Sequence, residues 1–360
     1  MKTDSAFHSW NARARKTFSP TRFVSSIGAL GLLASTLAAC GRPPPPPPEA
    51  PKRTALAYVT NEISSDMTVI HTGKNQVTGS IPVANAPRAV AISRDASVAY
   101  VSVGYFWEDG EVAAIDLTRG NVSSRTPVGR VPGAIAVAPD NSFVYVTTLN
   151  SVAAIDTSSR AVVARFELPR DTYAQALALS PDRGLAYVVT SASPDKSALL
   201  VLDTKTMQMV AMVELRSNAR GIAVTPDGRS VYVVDAGKPP DFSGSIWVVD
   251  SQTARVTATV PVETAPSGIA ITHDGLFAWV TNSGSDDISV IDVTNNTVVA
   301  SVAAGTRPDA IALNPDSAFA YVTNRATRNV TVIDVAEKRV IDTLTVGWWP
   351  TGLAMGPERR

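Results

Sequence analysis

The residue types that most often perform chemistry are scarce in this sequence and poorly spaced for it. The 360 residues include three histidines, His8, His71 and His273, and one cysteine, Cys40. Zinc takes three or four ligands, so with His8 inside an N-terminal segment that reads as an export signal, the two distant imidazoles of His71 and His273 and a lone thiol predict no metal site, and no intrachain disulfide is possible. No Cys-x-x-Cys-His run offers covalent haem attachment, and no Gly-x-Ser-x-Gly elbow presents a serine to a base. No catalytic residue and no cofactor is therefore expected. A second set of residues has the chemistry of recognition: Arg88, Tyr173, Arg220, Arg307, Trp348 and Trp349. Arginine and aromatic residues are enriched at binding hot spots, and guanidinium groups pair with anions. These six are scattered from position 88 to 349, so only a fold can bring them together.

That fold is legible in a repeat. Ala-Tyr-Val-Thr-Asn occurs at 57–61 and at 320–324, with looser copies between them. The aromatic residue of each copy is Tyr58, Tyr100, Tyr145, Tyr187, Tyr232, Trp279 or Tyr321, at gaps of 42, 45, 42, 45, 47 and 42. Each unit holds four short runs rich in β-branched residues, bounded by Pro, Asp, Gly and Asn, which predicts a four-stranded meander. No stretch sustains a helical period. Seven such units predict an all-β, seven-bladed β-propeller over residues 55–360. The domain opens on a second strand, Leu56-Ala57-Tyr58, and ends on a first strand, Pro350 to Met355. The C-terminal strand is thus expected to complete the N-terminal blade and remove the open edge.

The same register sorts structural residues from the rest. Asp116, Asp156, Asp203, Asp250, Asp292 and Asp334 end third strands, where Asx turns are favoured, and His71 takes that place in the first repeat. Asp140, Asp182, Asp227, Asp274 and Asp316 belong to a repeated turn, and His273 replaces its proline. All of these read as turn residues. The loops entering the first strands are fixed at one proline or alanine and free beside it: Ala86-Pro87-Arg88, Tyr173-Ala174-Gln175, Asn218-Ala219-Arg220, Arg307-Pro308-Asp309, Trp349-Pro350-Thr351. In a propeller these loops ring one mouth of the central channel. The six residues above are therefore expected to converge there, with the loops at 105–109 and 238–242 on the same face.

The Y-V-T-N motif, followed by a V-I-D strand and a P-x-x-I-A-x-x-P-D segment, resembles the YVTN family of β-propeller repeat proteins over residues 55–360. The resemblance implies the fold and leaves function open, since relatives include exported proteins of unclear role, surface-layer proteins and quinone-linked or haem-bearing propellers. Lactonase-type propellers hold a divalent ion through carboxylates and Asn at the channel, and the inner strands here look poor in acids. A non-catalytic binding or scaffold propeller is expected, taking a protein, peptide or anionic small ligand. The alternative is an enzyme or subunit: a quinone-linked dehydrogenase component, a lactonase or a lyase.

Residues 1–39 read as an export signal. Arg13, Arg15, Lys16 and Arg22 precede an apolar run from Phe23 to Ala39, too short for the about 20 residues of a spanning helix. Leu37-Ala38-Ala39-Cys40 resembles a bacterial lipobox, which implies that Cys40 is lipidated and anchors the chain in a membrane. Gly41 after the cysteine, with no Asp, implies by the same resemblance the outer membrane of the cell envelope, on either its periplasmic or its surface face. Pro43 to Pro48, within a linker at 40–54, predict an extended spacer, or else a ligand for a proline-binding partner. The 32 basic and 32 acidic residues balance, so no nucleic-acid partner is expected, and the chain is expected to be a monomer. On this reading Cys40→Ala leaves the protein in the soluble fraction and abolishes incorporation of a labelled fatty acid. Unchanged incorporation would contradict it.

Overall fold

The computed structural model describes residues 55–356 apart from 183, 194, 195, 216 and 217, so the expected signal, Cys40 and the expected linker lie outside the described residues. Seven four-stranded antiparallel sheets make seven blades. Blade 1 joins Pro350–Gly356 to Leu56–Asn61, Asp66–His71 and Gln76–Pro82. Blades 2 to 7 follow in chain order over 87–130, 135–167, 173–215, 219–264, 266–303 and 308–345. The expected closure is present: Leu56 pairs with Gly356 and Tyr58 with Ala354, so the last strand is the innermost strand of the first blade.

Burial explains why the second strands read as unbroken apolar runs. In Ala-Tyr-Val-Thr-Asn, Ala57 and Val59 pack on blade 7, and Tyr58 packs on blade 2. Successive side chains point to opposite faces, and here each face meets a neighbouring blade. The core is accordingly seven layers between blades, such as Trp279, Ile288 and Val290 against Ile311 and Val322. Fully burying one large apolar side chain contributes about 1.5–3 kcal/mol.

Polar residues of the repeat stitch the blades. The hydroxyl of Tyr321 donates to Asn75 Oδ1 at 2.8 Å, that of Tyr232 to Asn296 Oδ1 at 2.6 Å and that of Tyr145 to the carbonyl of Thr204 at 3.2 Å. Each bond reaches the next blade's turn between its third and fourth strands. Burial pushes the Tyr232 phenol up to about 12. Thr60 Oγ1 donates to the carbonyl of Arg88 at 2.7 Å, and Thr281 Oγ1 to that of Asp309 at 2.7 Å. This needs a close approach: a Cβ on Gly352 would meet the Arg88 carbonyl at 2.4 Å, and one on Gly268 the Asp309 carbonyl at 2.3 Å.

The strand-ending aspartates are turn residues, as their position predicts. Asp156 Oδ1 accepts from the amides of Ser158 and Ser159, and Asp250 Oδ1 from those of Gln252 and Thr253. The Asn of the repeat does the same work at the opposite end. Buried Asn324 donates through Nδ2 to Asn329 Oδ1 and Thr331 Oγ1, both at 2.8 Å, and accepts from Gly305 N at 3.1 Å. Asn324→Ala removes all three bonds and takes a partner from buried Thr331, so it is expected to cost about 1–3 kcal/mol in urea unfolding. Exposed Val298→Ala, on an outer strand, is expected to stay within about 0.5 kcal/mol.

Candidate functional site at the channel mouth

Two sets of loops form one face. The first enters the innermost strands; the second joins second to third strands and is pinned by the repeat's Asn, as Asn61 Nδ2 is to Asp66 and Thr68 at 2.8 Å. Where a proline opens the inner strand, the preceding residue is left-handed: Ala86 at φ 54, Val131 at 51, Ala265 at 48, Arg307 at 56 and Trp349 at 62. Such a conformation costs a non-glycine residue of order 1–3 kcal/mol and persists only when its surroundings impose it. Here it turns the chain from the outer edge of one blade onto the inner strand of the next. Arg307 and Trp349 are displayed by that turn.

The residue after the proline or alanine lies on the ring itself: Arg88, Gly133, Gln175, Arg220, Ser267, Asp309 and Thr351. Glu62 bridges two arginines there, Arg88 at 3.5 Å and Arg325 at 3.6 Å, and Arg325 also faces Asp309 at 3.7 Å. These side chains keep only about a fifth to a quarter of their exposure, 21% for Glu62 and 28% for Arg325. Arg88 Nε and Arg325 Nε are buried without a hydrogen bond. Aromatic faces take part of the charge instead: Arg88 lies 4.7 Å from the Phe106 ring centre, Arg325 5.1 Å and Arg307 6.0 Å from that of Trp349, and Arg328 sits over Trp348. Loss of hydration holds the Asp309 carboxyl above the ordinary carboxylate range; Glu62 adds to this, and Arg325, Arg220 and Arg307 oppose it.

The six residues expected at the mouth are all on this face, in two groups. Arg88, Arg307, Trp348 and Trp349 come together over blades 7, 1 and 2. Tyr173 and Arg220 line a separate pocket of about 320 Å³ between blades 4 and 5, with Gln175, Asn218 and Lys238. Arg220 and Arg307 are exposed and make no ion pair with any described residue. Glu62 and Arg325 were missed, although each directly follows the Asn of a Thr-Asn pair, a place the repeat leaves free. Inner-strand acids are few, but Asp309 is one of them. Arg325 stands between Asp309 and Glu62, so this carboxylate pair faces a cation of the protein's own. Among the described residues no three of His, Cys, Asp and Glu gather into a candidate metal site. His273 spans two turns instead, its Nδ1 lying 2.9 Å from Ser317 Oγ.

Residues 270–356 match the YNCE-like beta-propeller family model, a span covering blade 6 from the end of its inner strand, blade 7 and the closing strand. Comparison with curated protein sequences finds no match. Solved structures are similar in fold. Hydrazine synthase of Kuenenia stuttgartiensis superposes with a TM-score of 0.72 at 21% identity, over 78% of this chain and 92% of that one. A functionally unknown protein from Desulfotomaculum acetoxidans gives 0.69 at 16% identity, over 84% and 99%. The periplasmic gluconolactonase PpgL of Pseudomonas aeruginosa gives 0.67 at 19% identity, over 85% and 100%.

The raised carboxyl fixes a sign. Folding favours protonated Asp309, so its contribution to stability is present at pH values below the unfolded-state value of 3.8 and is lost as pH rises through the folded-state value. Asp156, held at about 2 by hydrogen bonds from Ser158 and Ser159, acts in the opposite sense. Asp309→Asn is therefore expected to gain stability relative to the native protein as pH rises from 4 to 7. Urea unfolding of both across that range checks it, and a difference that does not change with pH contradicts it.

Proposed function

We propose that this propeller is a non-catalytic binding module of the cell envelope, carried on a lipidated Cys40, that takes an anionic group of a protein, peptide or small ligand at its channel mouth. One observation carries the reading. The mouth gathers Arg88, Arg307 and Arg325 about two carboxylates, Glu62 and Asp309, and Arg220 in the adjoining pocket also acts electrostatically on Asp309. The carboxylates engage Arg88 and Arg325 and leave Arg220 and Arg307 exposed. An incoming carboxylate or phosphate gains charge-assisted hydrogen bonds there and relieves like-charge crowding.

The anchor draws its support from the Leu-Ala-Ala-Cys sequence and its apolar approach. Leu56 and Gly356, the outermost pair of the closing strands, lie at the opposite end of those strands from the mouth. Likeness of fold to a synthase and a lactonase at 21% and 19% identity brings neither activity to this chain.

Calorimetric titration with succinate, inorganic phosphate and hexaglutamate tests the mouth. At least one of these probes is expected to bind, and Arg220→Ala/Arg307→Ala is expected to weaken it about tenfold or more, the equivalent of about 1.4 kcal/mol. An unchanged affinity in a double variant with native thermal stability would place the site elsewhere.

A further inference from the structure

Every large, well-exposed aromatic among the described residues, Phe106, Trp107, Tyr173, Phe242 and Trp348, lies on the mouth face. The most exposed of them belong to one loop. Residues 104–108 join the second and third strands of blade 2, where blades 1, 6 and 7 use four-residue turns. In this loop Tyr105 and Trp107 stack, ring centres 4.8 Å apart and planes 6° from parallel. Trp107 is nevertheless 76% exposed and Phe106 58%.

Leaving an indole in water forfeits the favourable free energy of burying it, and folding gains nothing from the display. The loop is also braced from below. The Arg88 guanidinium lies against the Phe106 ring, Arg130 Nη2 donates to the Phe106 carbonyl at 3.0 Å, and Gly104 and Gly110 pack on Pro132 with no room for a Cβ. The result is a flat aromatic platform held in place before any ligand arrives, and a preformed platform spares the ligand the cost of ordering it.

Charge narrows the occupant. Exposed Glu108 and Asp109 follow Trp107 directly. Nucleic acid also stacks on aromatic rings, but it needs a cationic groove for its backbone, and anionic lipid headgroups need cations as well. Glu108 and Asp109, set against Arg88 and Arg130 under Phe106, leave the platform without the net positive charge that either ligand requires. They suit a ligand with an apolar face to lay on the indole and hydroxyl protons to give to acceptors, which is the chemistry of a neutral pyranose sugar.

We infer that the Tyr105–Trp107 stack is a carbohydrate-binding platform, with Trp107 taking the face of a neutral sugar ring and Glu108 and Asp109 accepting its hydroxyls. It is separate from the anion site, and its test does not depend on that site. The probes are cellopentaose and chitopentaose, titrated into the full-length protein and followed by tryptophan fluorescence and calorimetry. At least one is expected to bind saturably. Trp107→Ala is expected to weaken it about tenfold or more, Trp107→Phe less, while Trp348→Ala and Arg220→Ala/Arg307→Ala leave it unchanged. Neither Trp107 variant touches the interblade core, and unchanged thermal melting confirms that they fold. No saturable binding of either sugar up to about 10 mM overturns the inference, as does a Trp107→Ala variant with native affinity. Trp107-dependent binding of oligothymidylate or of phosphatidylglycerol vesicles in place of the sugars overturns it too.

Discussion

A β-sheet whose central strands are apolar on both faces cannot stand at a surface, and every other feature of this molecule follows from that constraint. Each blade must be covered twice, and the ring lets seven identical problems solve one another. The cost is a demand for close fit at every joint. Gly268 and Gly352 admit a neighbour's carbonyl where any side chain would collide, and the tyrosines send their hydroxyls across to the next blade's turn. The same demand dictates the closure. If Pro350–Gly356 did not pair with Leu56–Asn61, blade 1 would lack the inner strand that packs against blades 2 and 7.

Because the repeat is spent on these joints, it leaves the mouth free to vary. Where a unit carries them, the threonine and asparagine are held by hydrogen bonds, as Thr60, Thr281, Asn61 and Asn324 are, and Tyr145, Tyr232 and Tyr321 reach the next blade's turn. After the entry proline only Ser267 and Thr351 share a partner of this kind, bonding the next blade's carbonyls at Pro308 and Asp309 and at Pro87 and Arg88. Blade by blade, the ring position holds Arg, Gly, Gln, Arg, Ser, Asp and Thr, and no shared bond dictates the choice at Arg88, Gln175, Arg220 and Asp309. Variation at a place the fold holds rigid is what a recognition surface requires.

This division also explains what could be read before the structure. The blades were legible because each rests on a local pattern: a spaced aromatic, β-branched runs and a turn. Closure was legible because the first and last strands are complementary halves of one unit. Asp156 and Asp250 were legible as turn residues because an Asx turn involves only the next three residues. The pairing of Glu62 with Arg88 and Arg325 was not. Those three residues lie on three blades and meet only because the ring closes, so no spacing in the chain announces them. The division of the six expected residues into two groups was hidden for the same reason, since which loops lean together depends on ring geometry. The loop at 105–109 was visible as aromatic-rich, but the Tyr105–Trp107 stack and the bracing of Phe106 between them by Arg88 and Arg130, on other strands, were not.

The arginines at the mouth carry the last step. A guanidinium with part of its water removed needs compensation, and the protein supplies it unevenly. Arg88 and Arg325 receive Glu62, a share of Asp309 and the faces of Phe106 and Trp349. Asp309, itself stripped of water, gives up some of its readiness to ionise, so the compensation it offers is incomplete. Were the cluster built for stability alone, Arg220 and Arg307 would be hard to justify, because they add like charge to the rim with no ion pair among the described residues to offset it. The surplus is tolerable at a mouth that stays open to solvent. It becomes favourable when an anion fills it, and the rigid, left-handed turn that displays Arg307 keeps the surplus aimed at that opening.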